Sequence, residues 1–120
     1  MAHTNQMSAE MRECVSNCLN CHAICKETIA HCLMMGGEHA SAEHQRIMAD
    51  CAQACLTSAD FMLRMSDYHP RYCDVCAEIC RACAESCDRI GGGDETMRKC
   101  AELCRRCEQS CRSMAHTLAA

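Results

Sequence analysis

The sequence predicts an all-α protein, an antiparallel up-down-up-down four-helix bundle with a cysteine-lined core. Three observations predict it. Sulfur and apolar side chains recur in alternating steps of four and three along nearly the whole chain, the interval that keeps residues on one face of a helix. The interruptions are few: Gly36-Gly37, then Ser66-Asp67 with the only proline at Pro70, then Gly91-Gly92-Gly93. The segments between them run to roughly 20 to 30 residues joined by short loops, which makes neighbouring helices antiparallel. A chain of 120 residues supports one core, so residues 1–120 are expected to form a single domain.

The first helix is expected over residues 8–35, where Met7, Met11, Cys14, Cys18, Cys21, Cys25, Thr28, Cys32 and Met35 keep the alternation. The second, over 40–66, carries His44, Met48, Cys51, Cys55, Ser58, Met62 and Met65. Pro70 disfavours a helical conformation for His69, so the third is expected over 71–90. Its seam continues from His69 through Cys73, Cys76, Cys80, Cys83 and Cys87 to Ile90. Asp94 and Glu95 offer an N-cap and favourable charge for a fourth helix over 94–118. It carries Met97, Cys100, Cys104, Cys107, Cys111, Met114 and Leu118. All sixteen cysteines therefore occupy positions that face the axis of a bundle. Ile24, Ile29, Ile47, Leu56, Val75, Ile79 and Leu103 sit beside the seam, where they seal helix joints or cover a face against another subunit.

Aromatics make up only 2% of the chain, with no Trp, whereas Cys reaches 16 and Met 10, so sulfur fills much of the interior. A net charge of -4 gives no basic face for nucleic acid. No apolar run reaches membrane-spanning length. The N-terminal MAHTNQMSAEMREC has neither a cationic start nor the apolar run of a secretory signal. The expected location is cytoplasmic, where thiols stay reduced or bind metal.

What sixteen thiols in register do can be narrowed by chemistry. Each replaces a Leu or Ile that would remove more apolar area from water, at about 25 cal/mol per Å², so packing alone does not account for them. Residues four apart on a helix have Cβ atoms about 5 to 6 Å apart, too far for the roughly 3.8 Å of an unstrained disulfide. A metal ion fits between them. The CxxxC pairs are Cys14 with Cys18, Cys21 with Cys25, Cys51 with Cys55, Cys76 with Cys80, Cys83 with Cys87, Cys100 with Cys104, and Cys107 with Cys111. Soft thiolates select soft ions, copper(I) first among them. One copper(I) per thiolate leaves the core neutral, whereas four thiolates on one zinc ion leave a charge of -2. The expected cargo is thus multiple copper(I) ions, roughly one per thiolate. The metal-ligating set is Cys14, Cys18, Cys21, Cys25, Cys32, Cys51, Cys55, Cys73, Cys76, Cys80, Cys83, Cys87, Cys100, Cys104, Cys107 and Cys111, with His44 and Met48. Spacing singles out no catalytic base or nucleophile, so no enzyme is expected. The alternatives are a thiol-redox protein, although no thioredoxin-like strand pattern surrounds the CxxC pairs, or a zinc or cadmium buffer of metallothionein type.

The two ends of the tube differ. Met7, Met11, Phe61, Met62, Met65 and Leu118 suggest an apolar plug at one, closed by His69. His44, Met48, Met35 and Met97, with His31 and His39 nearby, mark the other. Imidazole and thioether hold copper(I) less tightly than thiolate and suit a transfer site, so copper is expected to enter there. His3, His22 and His116 are expected at the surface.

The repeated CxxxC spacing over four helices, with the ending CRRCEQSCRSMAH, resembles the bacterial copper storage proteins over essentially the whole chain. The lack of an export signal makes it similar to their cytosolic branch. The resemblance implies a homotetramer of bundles, many copper(I) ions along each core, and an entrance at the end bearing the helix one to two and three to four connections. Its ligand motif falls on the seven CxxxC pairs, leaving Cys32 and Cys73 outside a pair. Where members carry several histidines before helix four, this chain has GGGDETM. Besides copper and further copies of the chain, a copper chaperone or a small thiol is expected as exchange partner.

Overall fold

Three of the four helices begin where a short polar side chain takes over a backbone N–H that has no partner within the helix. Residues 7–117 are described by a computed structural model. Ser8 Oγ accepts from the Met11 amide at 3.0 Å and opens α1 (Ala9–Met35). Ser41 Oγ accepts from the His44 amide at 3.3 Å and opens α2 (Ala42–Leu63). Asp94 Oδ1 accepts from the Met97 amide at 3.0 Å and opens α4 (Glu95–Thr117). His3 and Leu118 lie outside the described residues.

The third helix, α3 (His69–Gly91), starts two residues before the expected boundary and contains Pro70 in its first turn. There the missing proline N–H would be unpaired in any case, and its fixed φ suits a helix start. The second helix is shorter than the expected 40–66 at both ends. Residues Gly37–Ala40 form a separate 3-10 turn. At the other end Ser66 N bonds to Phe61 O at 2.9 Å and Met65 N to Met62 O at 3.0 Å, a Schellman closure. Met65 takes the left-handed position with φ of 54°, which is why the seam pattern running on to it does not extend the helix.

The helices form a square in which α1 packs against α2 and α4, and α3 against the same two, while the diagonal pairs stay apart. That leaves a column down the axis, and the cysteines fill it. All sixteen are buried, together with Met11, Met48, Met62, Met97 and Met114. Val15, Ala52, Ala59, Ala77, Ala84 and Ala101 are also buried, each one residue after a seam position. Small side chains there let adjacent helices approach closely. Ile24, Ile29, Ile47, Leu56, Ile79 and Leu103 are half-buried at the joints, but Val75 is 52% exposed. Among the described residues no helix is long and apolar enough to cross a membrane.

Candidate metal centre

Down the axis the thiols form a continuous network of free, buried sulfurs. Cys14 and Cys18 Sγ lie 3.8 and 3.5 Å from Cys111 Sγ, and Cys107 lies 3.6 Å from Cys18. Cys55 is 3.7 Å from both Cys80 and Cys107 and 3.8 Å from Cys76. Cys51 is 3.7 Å from Cys80 and 3.9 Å from Cys21 and Cys104. Cys21 lies 3.6 Å and Cys25 3.9 Å from Cys104, and Cys25 is 3.9 Å from Cys100. A disulfide would need about 2.05 Å. These spacings match the edges of a trigonal or tetrahedral set of metal–sulfur bonds of about 2.3 Å.

The groups overlap. Cys21, Cys25, Cys51 and Cys104 have all their sulfurs within 4.8 Å of one another, and so do Cys21, Cys51, Cys55 and Cys80. Cys25 and Cys104 recur with Cys83 and Cys100; Cys55 and Cys80 recur with Cys76 and Cys107; and Cys107 recurs with Cys18, Cys76 and Cys111. One sulfur thus belongs to two neighbouring sites, the geometry that bridging thiolates require. The ladder is broken once on α1, where Thr28 takes the seam position between Cys25 and Cys32. Its buried Oγ1 has no hydrogen-bond partner.

Beyond Thr28 the chemistry changes. Cys32 Sγ lies 3.4 Å from Met97 Sδ, 3.6 Å from His39 Nδ1 and 3.7 Å from His44 Nε2. His44 is fully buried, and its Nδ1 lies 2.7 Å from Ser86 Oγ, which aims Nε2 at Cys32. Asp94 braces the rim. Its Oδ2 is 2.8 Å from His31 Nε2, and the His31 ring meets His39 edge-on with centroids 6.3 Å apart. Gly91 backs onto Met97 so closely that an added Cβ would lie 2.7 Å from Met97 Cβ. The glycine there serves close approach, because its φ is not in the left-handed region.

The sequence profile of the copper storage proteins matches residues 7–116. The chain belongs to the copper storage protein family. This copper storage protein is a metal store and not an enzyme. Similar solved structures include the Nmul_A1745 protein from Nitrosospira multiformis, at 42% identity and a TM-score of 0.84, covering 90% of this chain and 96% of that one. The Cu(I)-bound copper storage protein BsCsp3 shares 28% identity, with a TM-score of 0.81 and coverage of 88% and 98%. A cytosolic copper storage protein from Streptomyces lividans with five coppers shares 30% identity, with a TM-score of 0.77 and coverage of 89% and 92%. No curated protein matches.

In this store the expected ligands divide into two groups. Cys14, Cys18, Cys21, Cys25, Cys51, Cys55, Cys76, Cys80, Cys83, Cys100, Cys104, Cys107 and Cys111 fall within the axial network described above. Cys73 interacts with Cys14 and Cys111 at the closed end, and Cys87 with Cys83 and Cys100. Cys32 joins His44 instead of the ladder. Met48 is fully buried one helical turn from His44. Met35, expected at the mouth, is 54% exposed, because it is the last residue of α1 and the helix ends before it can turn inward.

The closed end also differs from expectation. Met11, Met62, Met114 and His69 are buried there. His69 Nδ1 lies 2.9 Å from Ser66 O. Phe61 instead stacks on Tyr72 across α2 and α3 with centroids 4.2 Å apart, under the Arg64 guanidinium, and Met65 is exposed. His22 is half-buried, with Nδ1 2.8 Å from Ala52 O, while His116 is exposed as expected. Sequence reasoning missed Ser86, which sits one residue before Cys87 and off the seam. It placed His39 and Met97 near the mouth but did not join them to Cys32, since a cysteine outside a CxxxC pair had no assigned partner.

Neighbouring thiols and burial together set the protonation of the core. Cys104 is held well above the ordinary thiol range, first by Cys100, then by Cys21, Cys25 and Cys51, with burial acting in the same direction. Burial pushes Cys32 up to about 11, and the Asp94 carboxylate adds to it. His44 is lowered, chiefly by burial, so its imidazole stays neutral and able to bind metal. Asp94 is held below the usual carboxylate range, first by His31 and then by the Met97 amide.

Proposed function

We propose that this bundle stores copper(I) along its axis on the thiolates of all sixteen cysteines, and that copper passes through the end bearing His44 and Met48. The observation that carries the reading is the sharing of sulfurs between adjacent four-cysteine groups. A copper(I) ion held by two unshared thiolates would leave a buried negative charge at each site, which is costly in a medium without water. Bridging sulfurs allow one ion per thiolate and a neutral core. Each ion displaces a thiol proton, so loading is also deprotonation.

The Streptomyces lividans relative is described as cytosolic, and a reducing cytoplasm is where these thiols would stay free for metal. The homotetramer is supported by an apolar strip left outside the single bundle, where Tyr68, Tyr72 and Val75 on or beside α3 are exposed. A copper chaperone or small thiol would meet the store at the Cys32 end, where thioether and imidazole replace bridging thiolate.

The reading is tested by anaerobic titration of the fully reduced chain with copper(I) against a competing chelator. Uptake should reach roughly sixteen ions per chain, with about one proton released per ion. A plateau far below about eight ions, half the thiol count, overturns storage on the ladder.

A further inference from the structure

At the end of the bundle away from the mouth, Cys73 is the one cysteine with no other cysteine four residues away on its own helix. His69 takes that place in the repeat, so α3 opens with an HxxxC pair in the register that elsewhere holds CxxxC. Residues so spaced share a helix face, with Cβ atoms about 5 to 6 Å apart, the separation that lets a CxxxC pair take an ion between its donors. His69 is buried, and its Nδ1 lies 2.9 Å from Ser66 O. A carbonyl oxygen only accepts, so Nδ1 carries the ring proton and Nε2 keeps the lone pair. Metal-binding imidazoles are held in the same way, with the second nitrogen donating to a backbone carbonyl or a carboxylate.

We infer that His69 Nε2 and Cys73 Sγ hold the last copper(I) ion of the ladder at the end opposite the mouth. The inference rests on the storage reading and adds a ligand and a terminus to it. Charge gives the reason for an imidazole there. Inside the ladder a sulfur belongs to two neighbouring groups, which keeps the core neutral at one ion per thiolate. The last ion has no thiolate beyond it to share. Another thiolate at that point would leave an uncompensated charge away from water, whereas a neutral imidazole completes the coordination without one.

The surroundings fit a soft ion. Met11, Met62 and Met114 are buried at this end, Met11 three residues before Cys14 and Met114 three after Cys111. Thioethers suit copper(I) and not a harder cation. Cys73 interacts with Cys14 and Cys111, which ties the pair to the ladder. The second helix offers no thiol here: Ser58 follows Cys55 on its seam, and the Ser58 hydroxyl donates to Tyr72 O at 3.1 Å. Packing alone would be better served by an apolar residue at position 69, which brings no ring nitrogens to satisfy inside a buried plug.

The test follows the histidine ring nitrogens of the isotope-labelled full chain by NMR while the reduced protein is loaded with copper(I) without oxygen. The His69→Asn variant assigns the signal, since Asn can still donate to Ser66 O in place of Nδ1 but has no Nε2. In the parent the His69 Nε2 resonance should move on loading while the proton on Nδ1 stays. His69→Asn should take up one copper(I) fewer, or hold the last one about tenfold more weakly, with helix content unchanged. An Nε2 resonance that stays in place at full loading, or a His69→Asn chain that binds copper as the parent does, would overturn the inference. A parent that plateaus far below about eight ions, half the thiol count, while Nε2 still moves would overturn the ladder and leave this pair standing, so the two readings fail separately.

Discussion

The His44 imidazole is clamped by Ser86: Nδ1 and Oγ lie 2.7 Å apart in a region that water does not reach. This contact decides which ring nitrogen faces Cys32. It also links the start of α2 to the end of α3. Removing the hydroxyl should therefore loosen both the mouth and the fold. Ser86→Ala leaves a buried ring nitrogen unpaired, which costs about 1–3 kcal/mol of stability. Second partners of metal-bound histidines are worth about 10- to 100-fold in affinity. Chemical denaturation of the metal-free chain and metal titration at the mouth should each detect the loss. Unchanged affinity would mean that the ring is oriented by packing alone.

Gly91 and Met97 form the second constraint at this end. A Cβ at Gly91 would stand 2.7 Å from Met97 Cβ, well inside contact distance, so Gly91→Ala forces α3 and α4 apart or displaces Met97. Overpacking of this kind costs about 1–3 kcal/mol. Gly93, where an added Cβ meets nothing within 4 Å, is the control. The midpoint of denaturant unfolding should fall for Gly91→Ala and stay close to that of the parent for Gly93→Ala.

Thr28 gives the opposite sign. Its Oγ1 is buried without a partner, and an unsatisfied hydroxyl costs about 1–3 kcal/mol. Thr28→Val keeps the branched shape and removes the hydroxyl, so the melting temperature of the metal-free chain should rise. A fall would indicate that the hydroxyl is held by an internal water.

The protonation of the thiols sets how the metal-free bundle responds to pH. Cys32 is raised to about 11 in the folded chain, above an ordinary thiol near 8.5. Between these values the unfolded chain has lost its proton while the folded chain keeps it, so stability falls as pH rises. In thermal unfolding of the reduced, metal-free chain, Cys32 should contribute a decline in stability from about pH 8.5 upward, read as the difference from Cys32→Ser. Loaded protein, whose thiols have already given up their protons to metal, should lack that decline. Copper affinity runs the other way and weakens toward acid, because protons compete for the same sulfurs.

The axial column of thiols was legible without coordinates. Alternating steps of four and three leave a cysteine only one side of the helix to face, and Gly36, Pro70 and Gly91–Gly93 left few other ways to cut the chain. The buried alanines were legible in principle, since each follows a seam position by one residue. The ends of the helices were not. Met65 continues the seam pattern, yet the Schellman closure of α2 turns it outward, because backbone hydrogen bonds there outweigh one more buried methionine.

By itself the sequence determined that sulfur would line a four-helix interior, since periodicity along one helix is a local property that follows from 3.6 residues per turn. Tertiary structure alone decided which sulfurs share a site and what surrounds Cys32. His39 comes from a short turn, His44 from α2, Ser86 from α3 and Met97 from α4, and no spacing within one segment encodes a meeting of side chains from separate segments. Distances across the bundle depend on how four helices slide and rotate against one another, which is settled only when they pack.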